Sequence, residues 1–283
     1  MRTLSVLLVV AMISVSAAKD HFQADDFVNR HLNSIGDEPA RAAVKNRLVQ
    51  GAVIFRVVQS SRLPSGVQSW GGQQTLVSEG NKFASLLKFP APAFRTERFV
   101  SDGTKTSVDQ ASAGVLGRFV MENNAILREG LWGGTLSTGW ALSRWNGGSA
   151  KLQDRGFKKI DGRQLHQVDY VPKKSSDLKI ELYFEPDTFR HVMTVYSLTV
   201  GGQLSPHGIG PQGIDRESQG EMRYRLEEHF ADFKNVDNLT LPGRWTIRFT
   251  YGWPDLPSID QFDVTEEKMS HNISLDPKDF EVK

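Results

Sequence analysis

Apolar and polar residues alternate over most of the chain with a period of two, the period of a β-strand with one buried face. The alternation is most regular at 178–184 and at 244–251, where every second residue is aromatic or aliphatic. Strands are predicted at 48–59, 66–79, 164–171, 178–184, 190–200, 221–233 and 244–251, with a short strand near Phe262. The pattern therefore predicts a protein dominated by β-sheet.

One stretch, 82–108, carries apolar residues on both faces of its strands. It predicts a strand, a proline-rich corner, a second strand, and an Asp102-Gly103 turn into a third. A strand with two apolar faces is either packed between two layers or turns one face towards an apolar ligand. The first arrangement would make this stretch part of the core, and the second would make it part of a ligand site.

Three segments have the helical period instead. The apolar residues of 24–35 fall on one face together with His31, and a second helix is predicted to begin near Pro39. Residues 116–127 predict a third helix, and we interpret about 112–146 as a helical insert that interrupts the run of strands. Antiparallel strands with helices collected on one side belong to the α+β class.

Residues 1–18 have the pattern of a secretory signal peptide, with a basic start, an apolar run and small residues at the end. We therefore predict that residues 19–283 are exported as a single domain. A polar, glycine-rich stretch at about 201–220 is predicted to be a surface loop.

Composition narrows the function classes. The sequence has no cysteine, which excludes a disulfide scaffold and thiol chemistry and, for an exported chain, favours a bacterial periplasm. It has 34 Lys and Arg residues against 33 Asp and Glu, and loss of Arg2 with the signal peptide balances the two. No nucleic-acid partner is predicted from such a balance. The mature protein is predicted to be a soluble monomer.

Motifs for catalysis, metals or cofactors are weak. Gly208 to Gly213 matches a dinucleotide fingerprint by letter, but Pro211 and the polar residues after it do not continue as a helix. The histidines are scattered, with no HExxH, and no Gly-x-Ser-x-Gly elbow is present. Glu227 and His229 would share one face of a strand and are the best acidic-histidine pair. We predict no enzyme, no catalytic residue, no metal and no cofactor.

An apolar cavity is the remaining candidate for a site. A sheet that only short helices cover leaves apolar surface for a ligand. Burial of an acyl chain contributes roughly 0.8 kcal/mol per methylene, so a lipid site needs no polar motif. The predicted lining consists of Phe55, Phe83, Leu87, Phe89, Phe94, Phe99, Leu116, Phe119, Trp132, Trp140, Phe184, Trp245 and Phe249.

Several of these segments resemble one family. The segments are the first helix, which ends in Ile35-Gly36; the motif Lys88-Phe89-Pro90, followed by 99–105; the helical insert; 182–188; and 233–242. They follow the same order as in the LolA-like outer-membrane lipoprotein carriers. The resemblance implies an incomplete, strongly curved antiparallel β-barrel, or half-barrel, with helices on its concave side as plug and lid. It also implies a carrier for acylated lipoprotein or free lipid in the periplasm, working with a membrane-bound donor or acceptor protein.

One position departs from the family pattern. The carriers have a basic residue between Lys and Pro in the motif that here reads Lys88-Phe89-Pro90, and that residue is tied to movement of the lid. Phe89 cannot donate a hydrogen bond. Two rival functions stay open: a periplasmic sensor of similar fold that binds lipid or protein, and an enzyme that uses the same cavity, with Glu227 and His229 as its candidates.

Overall fold

A computed structural model describes residues 22–60, 68–90, 96–109, 114–146, 150–201 and 221–282. The predicted signal peptide and nearly all of the predicted loop at 201–220 lie outside the described residues. Within them, no helix is long and apolar enough to cross a membrane.

The α-helices are short and lie in two groups, one before the first strand and one within the insert. They are α1 (Ala24–Ile35), α2 (Glu38–Ala43), α3 (Val115–Glu122) and α4 (Ala125–Arg128), with 3-10 helices at Gly134–Leu136, Ala141–Arg144 and Pro277–Phe280. The Asp37 side chain caps α2 by accepting the Ala40 N–H at 2.8 Å. The predicted third helix is two helices, because the chain turns at Asn123 and Asn124.

Fourteen strands are present in the described residues. They are β1 (Asn46–Gln59), β2 (Gln68–Glu79), β3 (Lys82–Lys88), β4 (Glu97–Ser101), β5 (Thr106–Val108), β6 (Lys151–Ile160), β7 (Arg163–Val171), β8 (Lys179–Phe184), β9 (His191–Val200), β10 (Met222–Ala231), β11 (Lys234–Val236), β12 (Leu239–Leu241), β13 (Arg244–Trp253) and β14 (Leu256–His271). The strand-rich, mixed α+β architecture is as predicted.

Twelve of the strands form one antiparallel sheet in the order β5-β4-β3-β2-β1-β14-β13-β10-β9-β8-β7-β6, and β11 and β12 form a separate hairpin. The first and last strands, β1 and β14, pair along almost their whole length and join the two halves of the sheet. The described strands do not close into a barrel, since β5 and β6 each have one neighbour in the sheet.

Contacts across the sheet show that it is strongly curved. Phe99 on β4 and Trp245 on β13 are five strand positions apart, which would be about 24 Å in a flat sheet. The Trp132 ring of the insert lies 4.5 Å from the Phe99 ring and 5.4 Å from the Trp245 ring, centroid to centroid. One indole can bridge both rings only if the two halves of the sheet bend towards each other.

In the described parts of the stretch, 82–90 and 96–108, both apolar faces are covered by protein. Phe83, Leu87 and Phe99 belong to the main hydrophobic cluster. The opposite face contributes Val100 to a second cluster, where Phe280 of the C-terminal segment packs against it. The stretch is therefore packed between two layers, which is one of the two arrangements that the sequence left open.

Four strands differ from the sequence prediction, and two of them, β11 and β12, form a short hairpin that was not predicted. β6 was not predicted, because Lys151–Ile160 has little alternation; it is an edge strand, mostly exposed, and forms through its pairing with β7. The short strand predicted near Phe262 is wrong in length, since Leu256–His271 spans sixteen residues. Its polar residues hide the strand pattern, but pairing with both β1 and β13 determines its structure.

Candidate functional site

The predicted cavity residues come together in one place. Twelve of the thirteen belong to a single hydrophobic cluster, which we call the interior cluster, and each is at most 9% exposed. The other, Phe94, lies outside the described residues. The sheet and the helical insert both contribute to the interior cluster, so it lies at their interface.

Phe89 belongs to an aromatic group at one end of the interior cluster. Its ring centroid lies 6.0 Å from that of Phe55 and 6.3 Å from that of Phe262. Phe55 also stacks on Trp70 at 5.7 Å. A Cβ on Gly72 would lie 2.6 Å from the Phe89 ring, so glycine is needed there for the ring to pack. The position at which the family has a basic residue is therefore occupied by a core aromatic side chain.

The insert fills the middle of the interior cluster with its own side chains. Leu131, Trp132, Leu136 and Trp140 are at most 1% exposed. Trp132 packs between the two halves of the sheet, and its Nε1 is buried without an acceptor among the described residues. The apolar interior is thus occupied by protein, and a ligand would have to take the place of insert side chains.

Glu228 ties the insert to the sheet. It is fully buried on β10, where Oε1 accepts the Gly133 N–H at 2.8 Å and the Trp245 Nε1–H at 3.1 Å. The Tyr196 hydroxyl donates to Oε2 at 2.7 Å. Gly133 has a φ of 74°, a conformation that glycine adopts without strain. Burial raises the pKa of Glu228 to about 7, against the opposing effect of these hydrogen bonds.

Two histidines flank Trp140. The Trp140 Nε1–H donates to His31 Nε2 at 2.9 Å, and His31 Nδ1 lies 3.0 Å from the Phe189 carbonyl oxygen. This pair of contacts assigns the proton to Nδ1 and leaves the ring neutral. Burial lowers the pKa of His31 to about 4, and it holds the pKa of His191 well below its ordinary value. His191 stacks on the indole at 4.7 Å.

Arg47 makes a third tie to the insert. It is 4% exposed, and its Nη1 donates to the backbone oxygens of Thr135 at 2.6 Å and Leu136 at 3.2 Å. Its Nε donates to His271 Nε2 at 3.0 Å, and His271 Nδ1 meets Asp237 at 2.8 Å. Burial lowers the pKa of the guanidinium to about 10.

Glu227 and His229 lie on the other face of β10 from the interior cluster. Arg225 donates to Glu227 Oε1, and burial lowers the pKa of His229. Among the described residues, no group of three or more His, Cys, Asp or Glu side chains is arranged to hold a metal ion. The dinucleotide-like motif from Gly208 to Gly213 lies outside the described residues.

The sequence analysis did not identify the polar residues that hydrogen-bond the insert to the rest of the protein. Glu228 had a usable signal, because it alternates with Leu226 and Phe230 and so faces the core of a predicted strand. His31 had one as well, since it falls on the apolar face of the first helix. Arg47 had none: it precedes the region predicted as strand, and its acceptors are 88 and 89 residues away.

Comparisons with known proteins address the fold. No family model matches the sequence, and no curated protein matches it. A crystal structure of a LolA superfamily protein from Nitrosomonas europaea is similar, with 14% identity and a TM-score of 0.50, over 93% of this chain and 99% of that one. A putative outer membrane lipoprotein-sorting protein domain from Vibrio parahaemolyticus has 9% identity and a TM-score of 0.46, over 91% and 97%. At such low sequence identities, the similarity shows the fold alone. The chain has a LolA-like fold.

Proposed function

We propose that this protein is an exported carrier that shields acyl chains in the apolar space between the concave side of its sheet and the helical insert. The observation that carries the proposal is the gathering of twelve predicted lining residues in the interior cluster. A helical position on the concave side is supported by Trp132, which bridges Phe99 and Trp245 across the bend of the sheet.

Binding requires the insert to move, because its side chains occupy the interior. The insert is tied to the rest of the protein by several polar contacts, among them those of Glu228, Arg47 and His31. Such an element has two arrangements available, one packed on the sheet and one displaced, and an acyl chain would favour the second by filling the vacated space.

The energetics favour a lipid over a polar ligand. A twelve-carbon chain gains roughly 10 kcal/mol on full burial, at about 0.8 kcal/mol per methylene. Part of this gain offsets the cost of exposing insert side chains, and the remainder is available as affinity. The cargo class, acylated lipoprotein or free lipid handed between membrane-bound partners in the periplasm, rests on the family resemblance and on the signal-peptide pattern of 1–18.

Uptake of a fluorescent fatty-acid probe by the purified protein tests the proposal. We expect a dissociation constant in the micromolar range or below. Trp132→Ala removes an insert side chain and leaves an apolar space that needs no displacement. This variant should bind the probe about tenfold more tightly, a gain of about 1.4 kcal/mol.

Trp253→Ala is the matched control, because Trp253 is 45% exposed at a hairpin tip and lies outside the interior cluster. Its affinity for the probe should equal that of the wild type. The proposal fails if the folded wild-type protein and the folded Trp132→Ala variant both take up no acyl probe.

A further inference from the structure

A cavity of about 310 Å³ lies between α1, α2, the insert and β12, beside the interior cluster. Its wall combines two cations, Arg41 and Arg47, with the insert residues Thr135, Ser137 and Ser143. A cavity of this size holds a small ligand or one end of a larger one. Its polar lining distinguishes it from the apolar interior.

Arg47 is a buried cation without a carboxylate against it. Its hydrogen bonds within the described residues use Nε and Nη1 and go to an imidazole and two backbone oxygens. The two N–H groups of Nη2 have no acceptor among these residues. Buried charges are ordinarily paired, and the nearest acidic group along this chain of contacts, Asp237, is separated from Arg47 by the ring of His271. An anion in the cavity would complete the pairing.

Other groups at the cavity suit an anion. Arg41 uses only Nη1 in its hydrogen bonds to described residues, which leaves Nε and Nη2. The Thr135 hydroxyl is buried without a partner in the described part of the chain, and Thr135 is 5% exposed. The acidic residue that lines the cavity, Glu38, is exposed and lies in the first turn of α2. Two cations against one carboxylate leave the lining positive.

We propose that this cavity binds an oxyanion, a phosphate or a carboxylate, through the free edge of the Arg47 guanidinium and the Arg41 side chain. Guanidinium groups bind such anions in a bidentate geometry that ammonium groups lack. Leu32, Ile35 and Leu239 complete the wall, so an anion that carries a short alkyl group fits better than the bare ion. The site is separate from the acyl space and stands whether or not the protein carries lipids.

Calorimetric titration of the full-length mature protein with inorganic phosphate and with octyl phosphate tests the site. We expect both to bind, and octyl phosphate to bind at least about tenfold more tightly if the natural ligand is a head group. Equal affinities would assign the site to a free oxyanion. Arg47→Gln and Arg41→Gln should each weaken both ligands by about tenfold or more, since each removes one of the two cations.

Arg98→Gln is the control. Arg98 also donates to two backbone oxygens, those of Asp279 and Glu281, but lies on the other side of the sheet from the insert. This change should leave the phosphate affinity unaltered. Circular dichroism verifies folding, and if Arg47→Gln does not fold, Arg41→Gln with Thr135→Val gives the answer. The proposal is overturned by absence of phosphate binding to the folded wild type, or by binding that every folded cavity variant retains.

Discussion

Replacing Glu228 with glutamine removes the ionisable carboxyl group but keeps a side chain of the same shape. The amide keeps an oxygen that accepts the Gly133 and Trp245 N–H groups, and its NH₂ donates to the Tyr196 hydroxyl, which rotates to accept. The hydrogen-bonding pattern between insert and sheet is therefore retained. What the substitution removes is a group that becomes ionised in a fully buried place.

The size of the effect follows from the raised pKa. A rise from 4.5 to about 7 corresponds to about 3 kcal/mol, since one pKa unit is about 1.4 kcal/mol. The folded carboxyl of Glu228 keeps its proton at pH values where the unfolded one has lost it. Its contribution to stability is therefore full below pH 4.5, decreases as the pH rises towards 7, and is lost above 7. The Glu228→Gln variant lacks this contribution at every pH.

Urea unfolding at pH 4.5, 6 and 8, at constant ionic strength, measures the prediction. The free energy of unfolding of the wild type relative to Glu228→Gln should fall by about 3 kcal/mol between pH 4.5 and 8. Glu97 and Glu266, whose pKa values burial raises to about 7 and about 8, act in the same direction but are common to both proteins.

Glu227→Gln makes the same chemical change one residue earlier, on the other face of β10, and is the matched control. Its effect on the free energy of unfolding should stay within about 1 kcal/mol, because its ion pair with Arg225 is partly exposed. A difference between wild type and Glu228→Gln that is the same at pH 4.5 and pH 8 would refute the reasoning, because it would mean that the folded protein does not penalise the ionised carboxylate.

Three further predictions concern single contacts. His31 should titrate near pH 4 by NMR, and its contribution to stability should be lost as the pH falls from 6.5 towards 4; a midpoint near 6.5 would contradict its burial. Trp140→Phe should cost about 1–3 kcal/mol in urea unfolding, because it leaves His31 Nε2 without a donor; an unchanged midpoint would mean that water replaces the indole. Phe280→Ala should cost about 3 kcal/mol, whereas Phe157→Ala, at a residue 57% exposed, should stay within about 0.5 kcal/mol.

The elements that sequence predicted well are those whose own residues determine them. The helix at Ala24–Ile35 has matching boundaries in the structure, because one apolar face and a terminal glycine define it locally. Residues 178–184 behave likewise. β6 and β14 depend on their neighbours: the first is an exposed edge, and the second lies between β1 and β13. A short window of sequence contains no information about which strands will pair with it.

The residues of the candidate site also fall into two groups, those that the local sequence predicts and those that depend on contacts with distant parts of the chain. Aromatic side chains were identified as a group because their positions follow the apolar pattern of the predicted strands and helices, and the family resemblance implied the curved sheet that they would fill. The polar ties depend on contacts between distant parts of the chain, as between Glu228 and Gly133, which are 95 residues apart. No spacing rule connects such residues, so only the folded structure identifies them.

The carrier function that we propose is compatible with an interior filled by the protein's own side chains when no ligand is bound. An empty space large enough for an acyl chain would forfeit packing at about 24 cal/mol per Å³ of cavity, so the protein is more stable when its own side chains fill it. The insert residues Trp132 and Leu131 fill it here. They resemble a ligand in being apolar, and they differ from the rest of the core in belonging to the insert, which polar contacts such as that of Glu228 with Gly133 hold on the sheet. For the function that we propose, the polar contacts that fix the insert and the apolar side chains that it buries together determine how readily a lipid can enter.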